Sequence, residues 1–271
     1  MSEKQVVLVT GASTGIGEAI AIHLASQNYI VYGSSRQIMD TTQPFHWLQL
    51  DVRDMDSVRS CIKTVMDNEG RIDVLINNAG LGMVSSLEES PYENIDQVMD
   101  TNFNGVLRMI KTVIPHMRRA GQGKIINISS MAGQIGLPFR SIYSASKFAV
   151  EGLTEALRQE GAKFGIEACT LLPGSINTDI AGKRVSYVPE KSPYNPEIDQ
   201  AHNLMNAEVQ KGIDRMDVAR KVAEILRKEH LPAKVIVAKP FQKLVTKLKR
   251  LLPASSFEKM LMQHYGLKRK S

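Results

Sequence analysis

Short, fully apolar runs alternate along the chain with stretches whose apolar residues recur every three to four positions. Val6-Val7-Leu8-Val9 contains no polar position and reads as a strand buried on both faces. Residues 15–27 then place Ile16, Ala19, Ile20 and Leu24 on one face of a helix. The alternation continues with strands at 30–32, 47–50, 74–76, 125–128, 166–172 and 235–237 and helices at 58–66, 95–117, 141–164 and 218–227. Strands without a polar side, separated by helices, predict a parallel sheet covered on both faces. Right-handed crossovers make such a sheet doubly wound, here with about seven strands. Two places break the rhythm. Residues 36–45 leave little room for a full helix, so that crossover is expected to be abbreviated. Residues 175–215 have weak periodicity, broken by Pro189, Pro193 and Pro196, and read as a lid after the sixth strand. Residues 1–239 are taken as one domain and 240–271 as a basic helical C-terminal extension.

Composition narrows this picture. A chain of 271 residues, 43% hydrophobic and 23% charged, can bury a core without disulfides or metals. Cys61 and Cys169 stand alone in apolar segments and are expected to be buried thiols of a reducing compartment. No cluster has metal-ligand spacing, so no metal is expected. The first residues are polar, the run at 6–9 is too short for a signal segment, and no stretch is long enough to span a bilayer, so the expected location is cytoplasmic. The net charge of +6 is concentrated in Lys239, Lys243, Lys247, Lys249, Arg250, Lys259, Lys268, Arg269 and Lys270. That is a local asymmetry and does not call for a nucleic-acid partner. Within the extension, residues 241–252 place Leu244, Val245, Leu248, Leu251 and Leu252 on one side and Lys243, Lys247, Lys249 and Arg250 elsewhere. Pro253 ends that stretch, and Met260, Leu261 and Tyr265 mark a second one. Two readings stand: an interfacial helix making peripheral contact with an anionic membrane, or a helix pair packed on the domain or on a sister subunit.

Candidate chemistry lies where strands end. Thr10-Gly11-Ala12-Ser13-Thr14-Gly15-Ile16-Gly17 joins the first strand to the first helix. Glycines let the backbone turn sharply and let a pyrophosphate approach, while the helix N-terminus offers free N–H groups and a positive dipole end. This is a dinucleotide site of Rossmann type, with candidate contacts at Gly11, Ser13, Thr14, Gly15, Ile16 and Gly17. The second strand ends at Gly33-Ser34-Ser35-Arg36. An acidic residue there would hold a ribose 2′-hydroxyl, whereas Ser35 and Arg36 suit a 2′-phosphate. NADP(H) is therefore expected over NAD(H). Asp51 and Val52 close the third strand, where the carboxylate can meet the adenine amino group. Asn77-Asn78-Ala79-Gly80 closes the fourth, where Asn78, Ala79 and Gly80 can line the cofactor and tie strands together.

Ser130 closes the fifth strand, and Tyr143 and Lys147 lie four apart on the next helix, sharing a face. A free phenol ionises near pH 10. A neighbouring ammonium favours the phenolate and brings that value down. Ser130 can hold a substrate oxygen against the phenol, with hydride coming from the nicotinamide.

In these motifs the sequence closely resembles the short-chain dehydrogenase/reductase family, in its single-domain branch. TGASTGIG, LDV, NNAG, Asn102 within DTNFNG, NISS, YSASK and PGSINT occur in the family's order across about residues 6–237. The resemblance implies a catalytic tetrad of Asn102, Ser130, Tyr143 and Lys147, with Ser130 rather than Ser129 at the family spacing. It implies that Asn102 holds a proton-relaying water and that Lys147 also binds the nicotinamide ribose. It further implies that Pro173, Gly174, Ile176 and Thr178 hold the carboxamide end, and that the protein is a homodimer or homotetramer paired through its two long helices. The sequence departs from the pattern in the short crossover after Arg36, in the lack of a basic residue inside the Gly-rich turn, and in the extension.

Leu81, Met83, Met131, Leu137, Ile142, Ile176, Val185 and Tyr187 are expected to border the substrate, a largely apolar set. It suits a lipophilic small molecule such as a steroid, retinoid, fatty-acyl or aromatic carbonyl. The leading expectation is NADP(H)-dependent interconversion of a carbonyl and an alcohol. The alternatives are a catalytically idle NADP-binding regulator and a sugar-nucleotide epimerase or dehydratase, and the complete tetrad and the lack of a large C-terminal substrate domain weigh against them.

Overall fold

The computed structural model describes residues 4–38, 42–177 and 184–269. Among the described residues, seven strands form one sheet: β1 (Val6–Val9), β2 (Ile30–Ser35), β3 (His46–Gln49), β4 (Val74–Asn77), β5 (Gly123–Ile128), β6 (Ile166–Pro173) and β7 (Lys234–Val237). All neighbours are parallel, in the order β3-β2-β1-β4-β5-β6-β7. The chain starts in the middle, works to one edge, then crosses back past β1 and fills the other side. This is the doubly wound α/β fold, and the reversal between β1 and β4 opens a crevice at the carboxyl ends of the strands.

The period of two along each strand makes two cores. Val7, Val9, Val74, Ile76, Ile126 and Leu171 enter one of them, and Val6, Leu8, Leu75, Ile125 and Ala168 the other. The first is covered by α1 (Gly15–Ala25) and α7 (Arg215–Leu226), through Ile20, Leu24, Val218 and Val222. The second is covered by α2 (Met55–Glu69), α4 (Gly105–Ala120) and α5 (Ser141–Gly161), through Ile62, Val65, Met109, Val113, Val150 and Leu157. Cys61 and Cys169 sit inside these cores, and burial pushes both thiols up to about 12, so neither offers a thiolate.

The helix read at 95–117 is not uniform. α3 (Tyr92–Met99) passes into a π turn, Asp100–Asn104, before α4 begins, and the Gly105 N–H reaches back to the Asp100 carbonyl. Such single turns recur at functional sites because they re-aim one side chain within a helix. Here that side chain is Asn102. No helix lies among the described residues between β2 and β3, in keeping with the short spacing. The described part of residues 175–215 is more ordered than the weak periodicity suggested. It contains α6 (Glu197–Gln210), which buries Ile198, Ala201 and Met205, while Leu204, Ala207 and Val209 are spread among its polar residues, so its faces contrast weakly. Two small parallel pairs brace it, Ile176–Asn177 with Ile213–Asp214 and Met83–Val84 with Val185–Ser186.

The last helices, α8 (Pro240–Leu251) and α9 (Ala254–His264), fold back onto the preceding chain. Thr246, Phe257 and Tyr265 are buried. Gln242 Nε2 donates to Ser175 Oγ at 2.9 Å, and Lys249 donates to the Gln134 carbonyl. Leu244 and Leu251 on α8, and Leu252 just after it, stay exposed. No helix among the described residues is long and apolar enough to cross a membrane.

Candidate active site

The cleft at the carboxyl ends of the strands holds about 890 Å³ and runs from the β1–α1 turn to α8 and α9. Its first half is a backbone cradle. Gly11 and Gly15 take φ of 67° and 66°, in the left-handed region that a side chain disfavours. A Cβ on Gly11 would lie 2.9 Å from Ala79 Cα, and one on Gly17 would lie 2.3 Å from the Gly11 oxygen. Gly17 does not reach the cleft; it supports the turn from behind. Asn78 locks the turn to β4, its Nδ2 donating to the Thr10 and Gly11 carbonyls at 2.9 Å each, while Asn78 N and Ala79 N donate to Thr10 Oγ1 at 2.9 and 3.0 Å. Gly11, Ser13, Thr14, Gly15, Ile16, Asn78, Ala79 and Gly80 all line the cleft. An unsubstituted concave backbone at a helix N-terminus fits a dinucleotide pyrophosphate.

Ser35, Arg36, Asp51 and Val52 line the same end. Arg36 is exposed there, and Ser35 Oγ donates to the Gln37 carbonyl. Asp51 is not a free carboxylate: Oδ1 accepts from Arg53 N and Nε at 3.0 and 3.1 Å, and Oδ2 pairs with Arg53 Nη2 at 2.8 Å. Arg53 hydrogen-bonding holds Asp51 below the usual carboxylate range, with Arg36 adding to it from further off. Arg53 is a cleft residue that the sequence reading did not single out; its position two residues after Asp51 was the available signal.

At the other end, Ser130, Tyr143 and Lys147 converge. Ser130 caps the short turn Met131–Gly133 by accepting from Ala132 N at 3.2 Å, which aims its hydroxyl into the cleft. Lys147 is one helical turn from Tyr143, with Nζ 5.9 Å from the ring centre and donating to the Ile128 carbonyl at 2.9 Å. Burial alone would raise the Tyr143 ionisation. The nearby Lys147 charge, then Arg140, a hydrogen bond from Ser130, and Arg184 outweigh it, and the phenol is held below its ordinary value. Burial also lowers Lys147, opposed by Tyr143 and Glu151.

Asn102 is fully buried behind this group. Its Nδ2 donates to the Leu81 carbonyl at 2.9 Å and to Ser146 Oγ at 3.0 Å, and its Oδ1 accepts from Leu81 N at 2.7 Å. Both amide hydrogens are thus committed to protein atoms, leaving only acceptor capacity on Oδ1 beside Gly80 for the relay water inferred from the resemblance. Ser146 in turn donates to the Tyr143 carbonyl at 2.7 Å, so Asn102 links the loop after β4 to the helix that carries Tyr143.

Pro173, Gly174 and Ile176 line the cleft, and Thr178 falls outside the described residues. Of the expected substrate-side residues, Leu81, Met131, Leu137, Ile176 and Val185 face the cleft. Met83 packs in the interior and Tyr187 projects outward, while Ile142 is absent from the lining. Their places are taken by Phe241, Gln242, Val245, Met260, Leu261, His264 and Tyr265, so α8 and α9 are walls of the cleft. The sequence marked those helices as amphipathic without showing which surface they cover.

Comparison with known proteins agrees with this geometry. The family model described as short chain dehydrogenase matches residues 5–188. The 3-ketodihydrosphingosine reductase of Bacteroides thetaiotaomicron is 36% identical over 98% of this chain and 100% of its own. Human 17-beta-hydroxysteroid dehydrogenase type 1 is 39% identical over 65% of this chain and 58% of its own. A solved short-chain dehydrogenase from Streptomyces avermitilis superposes with a TM-score of 0.81 at 31% identity, covering 94% of this chain and 98% of that one. The chain belongs to the short-chain dehydrogenase family. It is an oxidoreductase of carbonyl and alcohol groups that works with a nicotinamide cofactor.

Proposed function

We propose that the protein is an NADP(H)-dependent reductase or dehydrogenase of a lipophilic carbonyl–alcohol pair, with Asn102, Ser130, Tyr143 and Lys147 as its catalytic group. The observation that carries this is the half-buried Tyr143 phenol, one helical turn from the Lys147 charge and beside Ser130, in the cleft whose far end is the glycine cradle. A nicotinamide bound there supplies or takes up the hydride. In reduction Tyr143 donates its proton to the substrate oxygen, and in oxidation its phenolate removes one. Ser130 holds that oxygen in line with the phenol. Lys147 favours the phenolate and, from its place between the two halves of the cleft, is the group to hold the nicotinamide ribose. Gly11 to Ile16, Asn78 to Gly80, Pro173, Gly174 and Ile176 frame the rest of the cofactor, with Gly17 setting the turn.

Arg36 and Arg53 support NADP(H) over NAD(H), since two guanidiniums border the end of the cleft where the 2′-phosphate would lie and Asp51 is already paired. A lipophilic substrate is supported by Leu81, Met131, Leu137, Val245 and Met260, and by the names of the two relatives above. Residues 1–239 form the oxidoreductase domain, with 175–215 as its lid and 240–271 as the extension that completes the substrate side. The exposed apolar and basic outer surface of α8 makes peripheral contact with anionic membranes, and copies pair through α4 and α5 as a homo-oligomer. The test is a screen of apolar ketones, aldehydes and alcohols with both NADH and NADPH, following the absorbance of the reduced cofactor. Turnover with NADPH, weakened far more for NADPH than for NADH by Arg36→Ala, is expected. Equal losses with both cofactors would exclude Arg36 as the reader of a 2′-phosphate.

A further inference from the structure

The substrate half of the cleft contains two guanidiniums among its apolar walls. Arg140 and Arg184 both line it beside Tyr143. Arg140 Cζ stands 4.6 Å from the centre of the Tyr143 ring, and Arg140 Nε is buried with no hydrogen-bond partner. Arg184 Nη1 donates to Asn206 Oδ1 at 2.6 Å, which fixes it to α6. Among the described residues, no carboxylate forms an ion pair with either arginine. Glu208, a carboxylate that lines the cleft, is turned to Ser175 and His264, at 3.4 and 3.3 Å. Two like charges held in a partly dry cleft disfavour each other, and Arg184 is lowered by burial and by Arg140.

The backbone that presents Arg140 is also strained. Phe139 has φ of 56°, a left-handed conformation unusual for an aromatic residue. Its ring lies edge-on to Tyr194 at 6.3 Å, and its carbonyl accepts from Ser85 N at 3.0 Å. These contacts hold the turn that sets Arg140 at the mouth of α5. Strain, an unpaired buried donor and positive charge without a carboxylate partner among the described residues coincide beside Tyr143, where the reacting end of a substrate would lie.

We propose that Arg140 and Arg184 form an oxyanion subsite, and that the substrate carries a carboxylate or phosphate next to its reacting carbonyl, with an apolar body directed toward α8 and α9. The inference rests on the carbonyl–alcohol reading above and names its substrate class. Planar guanidiniums suit both anions, and charge-assisted hydrogen bonds are the stronger kind. An ammonium beside the carbonyl would instead meet like charge.

Four probes of matched length test this with NADPH: 3-oxodecanoate, its methyl ester, 2-oxodecyl phosphate and 1-amino-2-decanone. Either anion is expected to exceed the ester in kcat/KM by about tenfold or more, the better one identifying the anion, and the amine is expected to be poorest. Arg140→Gln and Arg184→Gln should each erase that preference through KM, on top of a loss shared by all four probes because both charges also acidify Tyr143, with NADPH binding, read by fluorescence, confirming that the variants are folded. Arg140→Lys should recover part of the preference. Ester and anions used equally by the wild-type protein, or variants that depress every probe by the same factor and so keep the anion preference, would overturn the subsite and leave the arginines with their effect on Tyr143 alone. Silence toward all four probes in the wild-type protein would overturn the carbonyl–alcohol reading with it.

Discussion

A free phenol keeps its proton at neutral pH, and burial strengthens that hold. In Tyr143 the surrounding positive charge wins, because Lys147, Arg140 and Arg184 gather around one oxygen that Ser130 also bonds. The sign for pH follows: alcohol oxidation needs the phenolate, so its rate should rise with pH along a limb lying below pH 10. Lys147→Met removes the largest favourable charge, and the limb should move to higher pH in a kcat profile. An unmoved limb would mean that Tyr143 is not the titrating group. Tyr143→Phe should lower turnover by about 100- to 10,000-fold, the usual weight of a proton-transfer group, with NADPH affinity retained in a fluorescence titration. At this scale the sequence was informative where chemistry has a fixed spacing, as between Tyr143 and Lys147. It was silent where partners meet through folding alone, as with Asn102 and the Leu81 backbone, or Arg184 and Asn206.

Elements extend this reading. Most of the seven strands were legible because their apolar runs have no polar side, whereas edge strand β3 exposes His46 and Gln49 and was marked by Trp47, Leu48 and Leu50. The π turn was not, since one inserted residue leaves the hydrophobic pattern of 95–117 nearly intact while rotating Asn102. α6 escaped notice for the opposite reason: its three buried side chains, and Leu204, Ala207 and Val209, are spread among polar residues, so its faces contrast weakly. The β1–α1 turn shows how closely an element can be fitted. A Cβ at Gly17 would clash at 2.3 Å with both the Gly11 oxygen and Asn78 Nδ2, so Gly17→Ala must push the turn away from β4. NADPH affinity should fall about tenfold or more in calorimetry while the far-ultraviolet dichroism stays native, because the clash lies in the cradle rather than the core. Unchanged affinity would show that the turn yields without disturbing the cradle.

For the whole molecule, α8 and its end expose Leu244, Leu251 and Leu252 beside Lys243, Lys247 and Arg250, apart from Phe241, Gln242 and Val245, which line the cleft, and the buried Thr246. The protein should sediment with phosphatidylserine-containing vesicles at moderate salt and much less with neutral ones. Leu244→Glu combined with Leu251→Glu should abolish sedimentation and leave turnover of a water-soluble carbonyl unchanged. Sedimentation that persists in the double variant would place the contact elsewhere. The family model ends at residue 188, whereas α6, α8 and α9, which close the substrate half of the cleft, follow it. Asn102, Ser130, Tyr143 and Lys147, the proposed catalytic group, thus sit with Arg140 and Arg184 in one continuous stretch of chain, and the walls given by α6, α8 and α9 sit in the next. A chimaera joined near that boundary would inherit its reaction and its anion subsite from one parent and the far walls of the cleft from the other, so recombination at a single crossover would change the substrate body that is accepted without rebuilding the chemistry.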